Sequence, residues 1–212
     1  RSKRGGKVRS FTAFKALPRD RQKSLTAILI AIFAWFMGFN AIETFFTLFA
    51  TRTYGVTGGE ATMMLTGFSG LFLVFALPAG FIGKKLGRKR TIMIGLTGII
   101  ALFVPFLFSS NINLLLVLLL VAGAFWACVN INSLPMVVEF ATDDTVGSFT
   151  GYYYLFSFTA AIVSPILYGF IQDTTDNFAL LFWYSIICFI IALIAISTVG
   201  KGHGENIEAS QT

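Results

Sequence analysis

Residues 80–90 read GFIGKKLGRKR. Five cations, Lys84, Lys85, Arg88, Lys89 and Arg90, crowd into this turn between two of the most apolar stretches of the chain. Charge at that density is expelled from hydrocarbon and marks a turn at a water boundary. The sequence around it is 56% hydrophobic and only 12% charged over 212 residues. A soluble domain of that length must turn much of its surface to water and cannot hide so much apolar area. Runs of about 20 apolar residues read instead as transmembrane helices. The sequence therefore predicts an all-α integral membrane protein.

Six spans are expected, at 25–51, 62–82, 91–109, 114–138, 150–171 and 178–199, joined by short connectors such as YGVTGGE (54–60) and SSNIN (109–113). This divides the chain into a basic segment, 1–24, a six-helix bundle, 25–199, and a polar tail, 200–212. Lys and Arg orient the spans. Nine lie in 1–24, five in 84–90 and one, Lys201, in the tail, all on one side of a six-span zigzag; the other side carries only Arg52. Both termini are thus expected to be cytoplasmic, with the bundle in the plasma (cytoplasmic) membrane. The first apolar residue of a span, Leu25, comes too late for a signal peptide, and the chain reads as a piece of something longer. Cys128 and Cys188 fall mid-span and read as small buried hydrophobes. The sole histidine, His203, lies in the tail. No His/Cys cluster, phosphate-cradling glycine loop or nucleophile triad is visible, so no enzyme, metal, cofactor or nucleic-acid function is expected.

The pattern G-x-x-G-K-K-x-G-R-K-R, with Gly80, Gly83 and Gly87 among the charges, resembles the signature loop of the major facilitator superfamily, which joins the second and third helices of each six-helix half. Lys84 stands where that family usually has an acidic residue. NINSLPMVVEFA (130–141), GYYYLFSFTAAIVSPILYGFIQD (151–173) and FNAIETFFTLFA (39–50) resemble the carboxyl-terminal half of glycoside- and sucrose-type cation symporters. The resemblance implies a secondary transporter of two six-helix bundles, of which this chain is the second. Its partners would be the lipid bilayer, the amino-terminal half of the same transporter, and a sugar or glycoside moved with a proton or sodium ion.

Polar side chains inside a bilayer are costly and tend to mark pathways. Asn40, Glu43, Thr44 and Thr47 recur at helical spacing on one face of the first span. Glu43 is the one ionisable residue well inside a span, and it suits either a coupling site or a hydrogen-bond partner for a hydroxyl. The alternative is a carboxylate near the outer helix end that meets water. Trp126, Asn130 and Ser133 share a face of the fourth span. Trp could stack on a sugar ring while Asn donates and accepts, or the polar pair could simply join neighbouring helices. Tyr153 is a candidate cavity residue in a small-residue stripe that otherwise reads as packing, as do Thr62, Thr66 and Ser69 of the second span. Pro135 is a candidate hinge.

Glu139 ends the fourth span on the side of the cationic turn. In the family resembled, an arginine of the signature loop pairs with an acidic residue there and holds the cytoplasmic side closed. Gly80, Gly87, Arg88, Lys89 and Glu139 are accordingly the expected gate, with Arg88 better suited than lysine to grip a carboxylate. The plain alternative is a solvated charge at a helix end, worth about 0–1 kcal/mol.

Two rivals remain to the sugar symporter: an exporter of amphipathic compounds, and a six-span membrane partner or homodimer with no transport of its own. Flux under gradients of either direction separates the exporter from the symporter; a denaturing immunoblot of source membranes separates the partner or homodimer. The half-bundle reading predicts a polypeptide about twice this length, given the usual size of one domain. A band at the mass of 212 residues would favour the homodimer or partner.

Overall fold

The computed structural model describes residues 10–200, with the side chains of 10–12 left aside. The charges at positions 1–9, Lys201 and His203 lie outside the described residues. Within them the chain is helical throughout: α1 (Ser10–Lys15), α2 (Arg19–Tyr54), α3 (Gly58–Leu86), α4 (Arg88–Phe103), α5 (Ile112–Val138), α6 (Val146–Thr175) and α7 (Leu180–Ser197). α2 to α7 are the six helices long and apolar enough to cross a bilayer, α4 together with a 3₁₀ turn at Val104–Leu107.

Most spans are longer than hydropathy alone suggests, and in α3 and α5 capping side chains carry the helix start past the apolar stretch. α3 begins at Gly58 rather than at 62. Thr57 accepts from the Glu60 amide at 3.2 Å while its own amide donates to the Glu60 carboxylate at 2.8 Å, a reciprocal box that satisfies two orphan donors. The Asn111 side chain accepts from the amides of Asn113 and Leu114 and starts α5. α2 ends at Gly55, whose φ of 68° is left-handed and whose amide returns to the Thr51 carbonyl. α4 stops early. Pro105 has no amide to give, and the chain tightens into the 3₁₀ turn.

The signature stretch folds as a one-residue corner. Gly87 both ends α3 and begins α4, at φ 88°, where a side chain is strained. Its carbonyl accepts from the Thr91 amide and hydroxyl at 3.1 and 3.0 Å.

The six spans form two triplets that exchange their first helices. α2 packs chiefly on α6 and α7, α5 chiefly on α3 and α4, and α4 meets α7 where the triplets join. Glycines set these crossings. A Cβ on Gly95 of α4 would sit 2.7 Å from the Phe125 carbonyl and 3.1 Å from Cys128 of α5. One on Gly38 of α2 would sit 3.0 Å from the Ser185 carbonyl and 3.2 Å from Cys188 of α7. Each cysteine thus fills a small gap opposite a glycine, as a small packing residue does. On Gly123 of α5 a Cβ would collide with the Phe68 carbonyl of α3. Gly83, beside Asn132, is likewise a true close approach; Gly80 is not, since its nearest neighbour would be Ile131 at an ordinary 3.7 Å.

Phenylalanine rings close the end of the core away from the Gly87 corner. Phe106 stacks on Phe182 at 4.2 Å, and Phe49 and Phe103 meet Phe182 edge-on at 4.9 and 5.1 Å, tying α2, the α4 end and α7 together. The Tyr54 hydroxyl donates to the Ser109 carbonyl at 2.9 Å and ties the end of α2 to the α4–α5 connector.

Gly123→Val is therefore expected to force α3 and α5 apart at a cost of about 1–3 kcal/mol. Gly70→Ala, where nothing lies within 4 Å, should be neutral or slightly stabilising. Thermal melts of the detergent-solubilised protein, followed by size-exclusion chromatography, check both. Equal melting temperatures for the two variants would refute the packing argument.

Candidate functional site

α2 is pinned at its middle. Three successive carbonyls each accept a side-chain donor besides their place in the helix. Asn40 Nδ2 donates to the Phe36 carbonyl at 2.7 Å, Ser164 Oγ of α6 to Met37, and Ser185 Oγ of α7 to Gly38 at 3.0 Å. The two serine bonds fix α2 against the two helices behind it. One turn further out, α2 presents Phe39, Ile42 and Glu43 to a cavity.

The cavity has a volume of about 270 Å³ and lies between α2, α3 and α5, with α4 and α7 behind. Phe39, Phe68, Phe103, Trp126, Phe189, Ile42, Ile99, Leu65 and Leu119 make most of its wall; its polar groups are Glu43, Thr62, Thr66 and Ser69. Glu43 is exposed in this bundle. It lies eleven residues before Tyr54, about 16 Å from the carboxyl-terminal end of a long helix. Among the described residues no cation pairs with it and no hydrogen bond occupies it.

The expected solute residues divide. Glu43 and Trp126 line the cavity. Asn40 is turned back onto its own helix, and Thr44, Thr47 and Asn130 do not line the cavity wall. Tyr153 belongs to a second cluster at the α5–α6 junction, where its hydroxyl accepts from Ser133 Oγ at 3.2 Å and its ring meets Phe36 edge-on at 6.3 Å. Phe36 also meets Trp126 edge-on at 5.8 Å, so it bridges the two groups. Trp126 does not offer the free ring face that sugar stacking asks of it. Phe39 stacks on it at 4.1 Å with the planes 8° apart, and it is 3% exposed. The hydroxyls across from Glu43, on Thr62, Thr66 and Ser69, read in sequence as packing. Their shared face was visible there; that it opposes α2 was not.

At the other end of α3 and α5, Arg88 Nε donates to Glu139 Oε1, both side chains about a quarter exposed. The pairing expected from sequence is present. Lys89 leans the other way. Its ammonium donates to the Ser197 carbonyl at 2.8 Å and to the Val199 carbonyl, capping the end of α7. The first residues of α4 thus hold the ends of two other helices. Gly87 supplies the corner from which both reach out; Gly80 makes only ordinary contact. Pro135 lies one turn before Glu139, whose amide returns to the Pro135 carbonyl at 3.1 Å. Among the described residues no group of His, Cys, Asp and Glu could hold a metal ion.

The Major Facilitator Superfamily model matches residues 5–209. A cis,cis-muconate transport protein of Acinetobacter baylyi is 26% identical over 166 residues, 76% of this chain and 40% of that protein. The MFS-type transporter ppzB of Metarhizium rileyi is 28% identical over 109 residues, 51% of this chain and 23% of its own. The chain thus spans less than half the length of either relative. Among solved structures, the fucose:proton symporter FucP of E. coli superposes with a TM-score of 0.76 at 15% identity, covering 95% of this chain and 48% of that one. A peptide transporter POT in complex with alafosfalin gives 0.77 at 14%, covering 93% and 43%. Identities that low speak for the fold alone, and the six membrane-spanning helices are those of one half of it. With the family match running almost from end to end, this integral membrane chain belongs to the major facilitator superfamily of transporters.

Proposed function

We propose that the chain is the carboxyl-terminal half of a secondary active transporter that moves a small organic solute by alternating access, with Glu43 as the group that binds the solute or couples its movement to a proton or sodium ion. One observation carries this reading: a cavity between α2, α3 and α5 whose only charged wall residue among the described residues, Glu43, has no ion-pair partner among them. A carboxylate without a partner of its own is a ready acceptor for a cation or a donor-rich solute. The missing wall would come from an amino-terminal half, and both termini would face the cytoplasm at the plasma membrane, as the distribution of Lys and Arg suggests.

The sugar or glycoside suggested by the sequence resemblance has less support from the cavity, because Phe39 covers Trp126 and most of the wall is apolar. That lining favours the rival reading, a transporter of amphipathic compounds.

The test is flux in proteoliposomes holding the natural full-length polypeptide. A panel of sugars, dicarboxylates and arylalkylamines would be offered under an imposed proton or sodium gradient. At least one is expected to accumulate, and Glu43→Gln should cut gradient-driven accumulation about tenfold or more, the scale of one lost charge interaction. No accumulation of any class in either direction would refute the reading.

Arg88 and Glu139 are proposed to hold the cytoplasmic side closed. Arg88→Ala should raise the labelling rate of a cysteine at position 130 by inside-applied maleimide about fivefold, matching roughly 1 kcal/mol for a partly exposed pair. Glu139→Gln should do the same, and the double variant no more than either single one. Additive effects, or none, would leave Arg88–Glu139 a surface pair without a gating role.

A further inference from the structure

We infer that the cavity selects an organic cation: a protonated amine on an aryl or similarly apolar body. The inference rests on reading this cavity as the solute site, and it follows from a count of donors and acceptors on the wall. Glu43, ionised, only accepts. Thr62 Oγ1 donates its proton to the Gly58 carbonyl at 2.8 Å, and Thr66 Oγ1 donates to Thr62 at 2.9 Å. Both hydroxyls have committed their protons to their own helix, so toward the cavity they can only accept. Among the described residues of the wall, Ser69 alone is left to do either.

A wall of acceptors calls for a ligand of donors. An alkylammonium is all donor and positive; it can meet Glu43 and direct its remaining N–H groups at Thr62 and Thr66. A carboxylate solute is all acceptor, and it would face Glu43 with no basic side chain on this wall to offset the repulsion. A sugar can donate, but each of its hydroxyls also brings lone pairs that this wall leaves unsatisfied.

The apolar part of the wall agrees. Phe39 and Phe68 stand 6.0 Å apart with planes tilted 32°. Rings so close admit no third ring between them, but together they make one aromatic wall on which an aryl group can lie, and their faces attract a cation within about 6 Å. Trp126, stacked behind Phe39, stiffens that ring rather than meeting the solute itself.

Calorimetry on the natural full-length protein in nanodiscs, without any gradient, tests this with three probes of one shape: phenethylammonium, phenethyl alcohol and hydrocinnamate. Phenethylammonium is expected to bind at least about tenfold more tightly than either of the others. Glu43→Gln should close the gap between ammonium and alcohol. Thr66→Val, which keeps the shape and removes the acceptor, should lower ammonium affinity several-fold. Equal or tighter binding of the alcohol or hydrocinnamate overturns the inference. So does an ammonium preference that survives Glu43→Gln, or binding of none of the three. The two readings fail separately. Ammonium binding without flux would overturn transport and leave the site's selectivity standing; flux of a sugar or dicarboxylate without ammonium binding would do the reverse.

Discussion

A backbone amide in hydrocarbon has no water to turn to, so every span must satisfy its polar groups within itself and then find close neighbours. Helices supply the first. The second needs small residues, because lipid tails are as apolar as leucine and greasiness alone draws no two helices together. Here the approach is made by glycine at Gly38, Gly83, Gly95 and Gly123, each set against the backbone or buried side chain of the helix it crosses. The exchange of first helices between the triplets depends on these contacts. α2 can lie against α7 because Gly38 lets it, and α5 against α3 and α4 because of Gly123, Gly83 and Gly95.

Polar bonds then fix what the glycines bring together. Ser164 and Ser185 hold the middle of α2 by its carbonyls, and Asn132 Nδ2 donates to the Ala79 carbonyl of α3 at 3.0 Å beside Gly83. Such bonds are worth about 0.6 kcal/mol each on average in a bilayer. Their direction matters more than their strength. They leave Phe39 and Glu43 on a pinned helix, so the cavity is defined by a stiff α2 on one side and the α3–α5 pair on the other.

Much of this was legible in the sequence. Six spans follow from hydropathy, and the corner at Gly87 from glycine among charges. Arg88 and Glu139 could be paired because a planar guanidinium stands on the same side as a lone carboxylate at a helix end. What was hidden was relative placement. Thr62, Thr66 and Ser69 form a visible face, but one helix's periodicity cannot say which other helix that face meets. Trp126 read as a solute platform because sequence does not show Phe39 lying over it, thirteen positions short of a hundred away in the chain yet 4.1 Å in space. Gly80 and Gly83 are equivalent as letters; only the position of Asn132 tells them apart. The T-G-G-E of 57–60 was a capping signal in plain view, and it explains why α3 outruns its apolar stretch.

α3 and α5 carry both ends of the proposed machinery. The cavity hydroxyls of α3 and Trp126 of α5 lie toward one end, and the Gly87 corner and Glu139 toward the other. Between them the two helices touch at Gly123 and Gly83, where not even a methyl group fits. A contact that tight does not slide by small steps, because packed surfaces hold discrete arrangements rather than a continuum. For the gate proposed at Arg88 and Glu139 to sense the cavity, α3 and α5 must therefore move as one body. The motion then falls on looser neighbours: on α2, which meets α3 much less than it meets α6 and α7, and on α6, which touches α5 only lightly. Glu43 sits on the α2 side of that seam and Thr66 on the α3 side. A solute held between them would bridge the very surfaces that have to shift, which is where its binding energy can bias the two states.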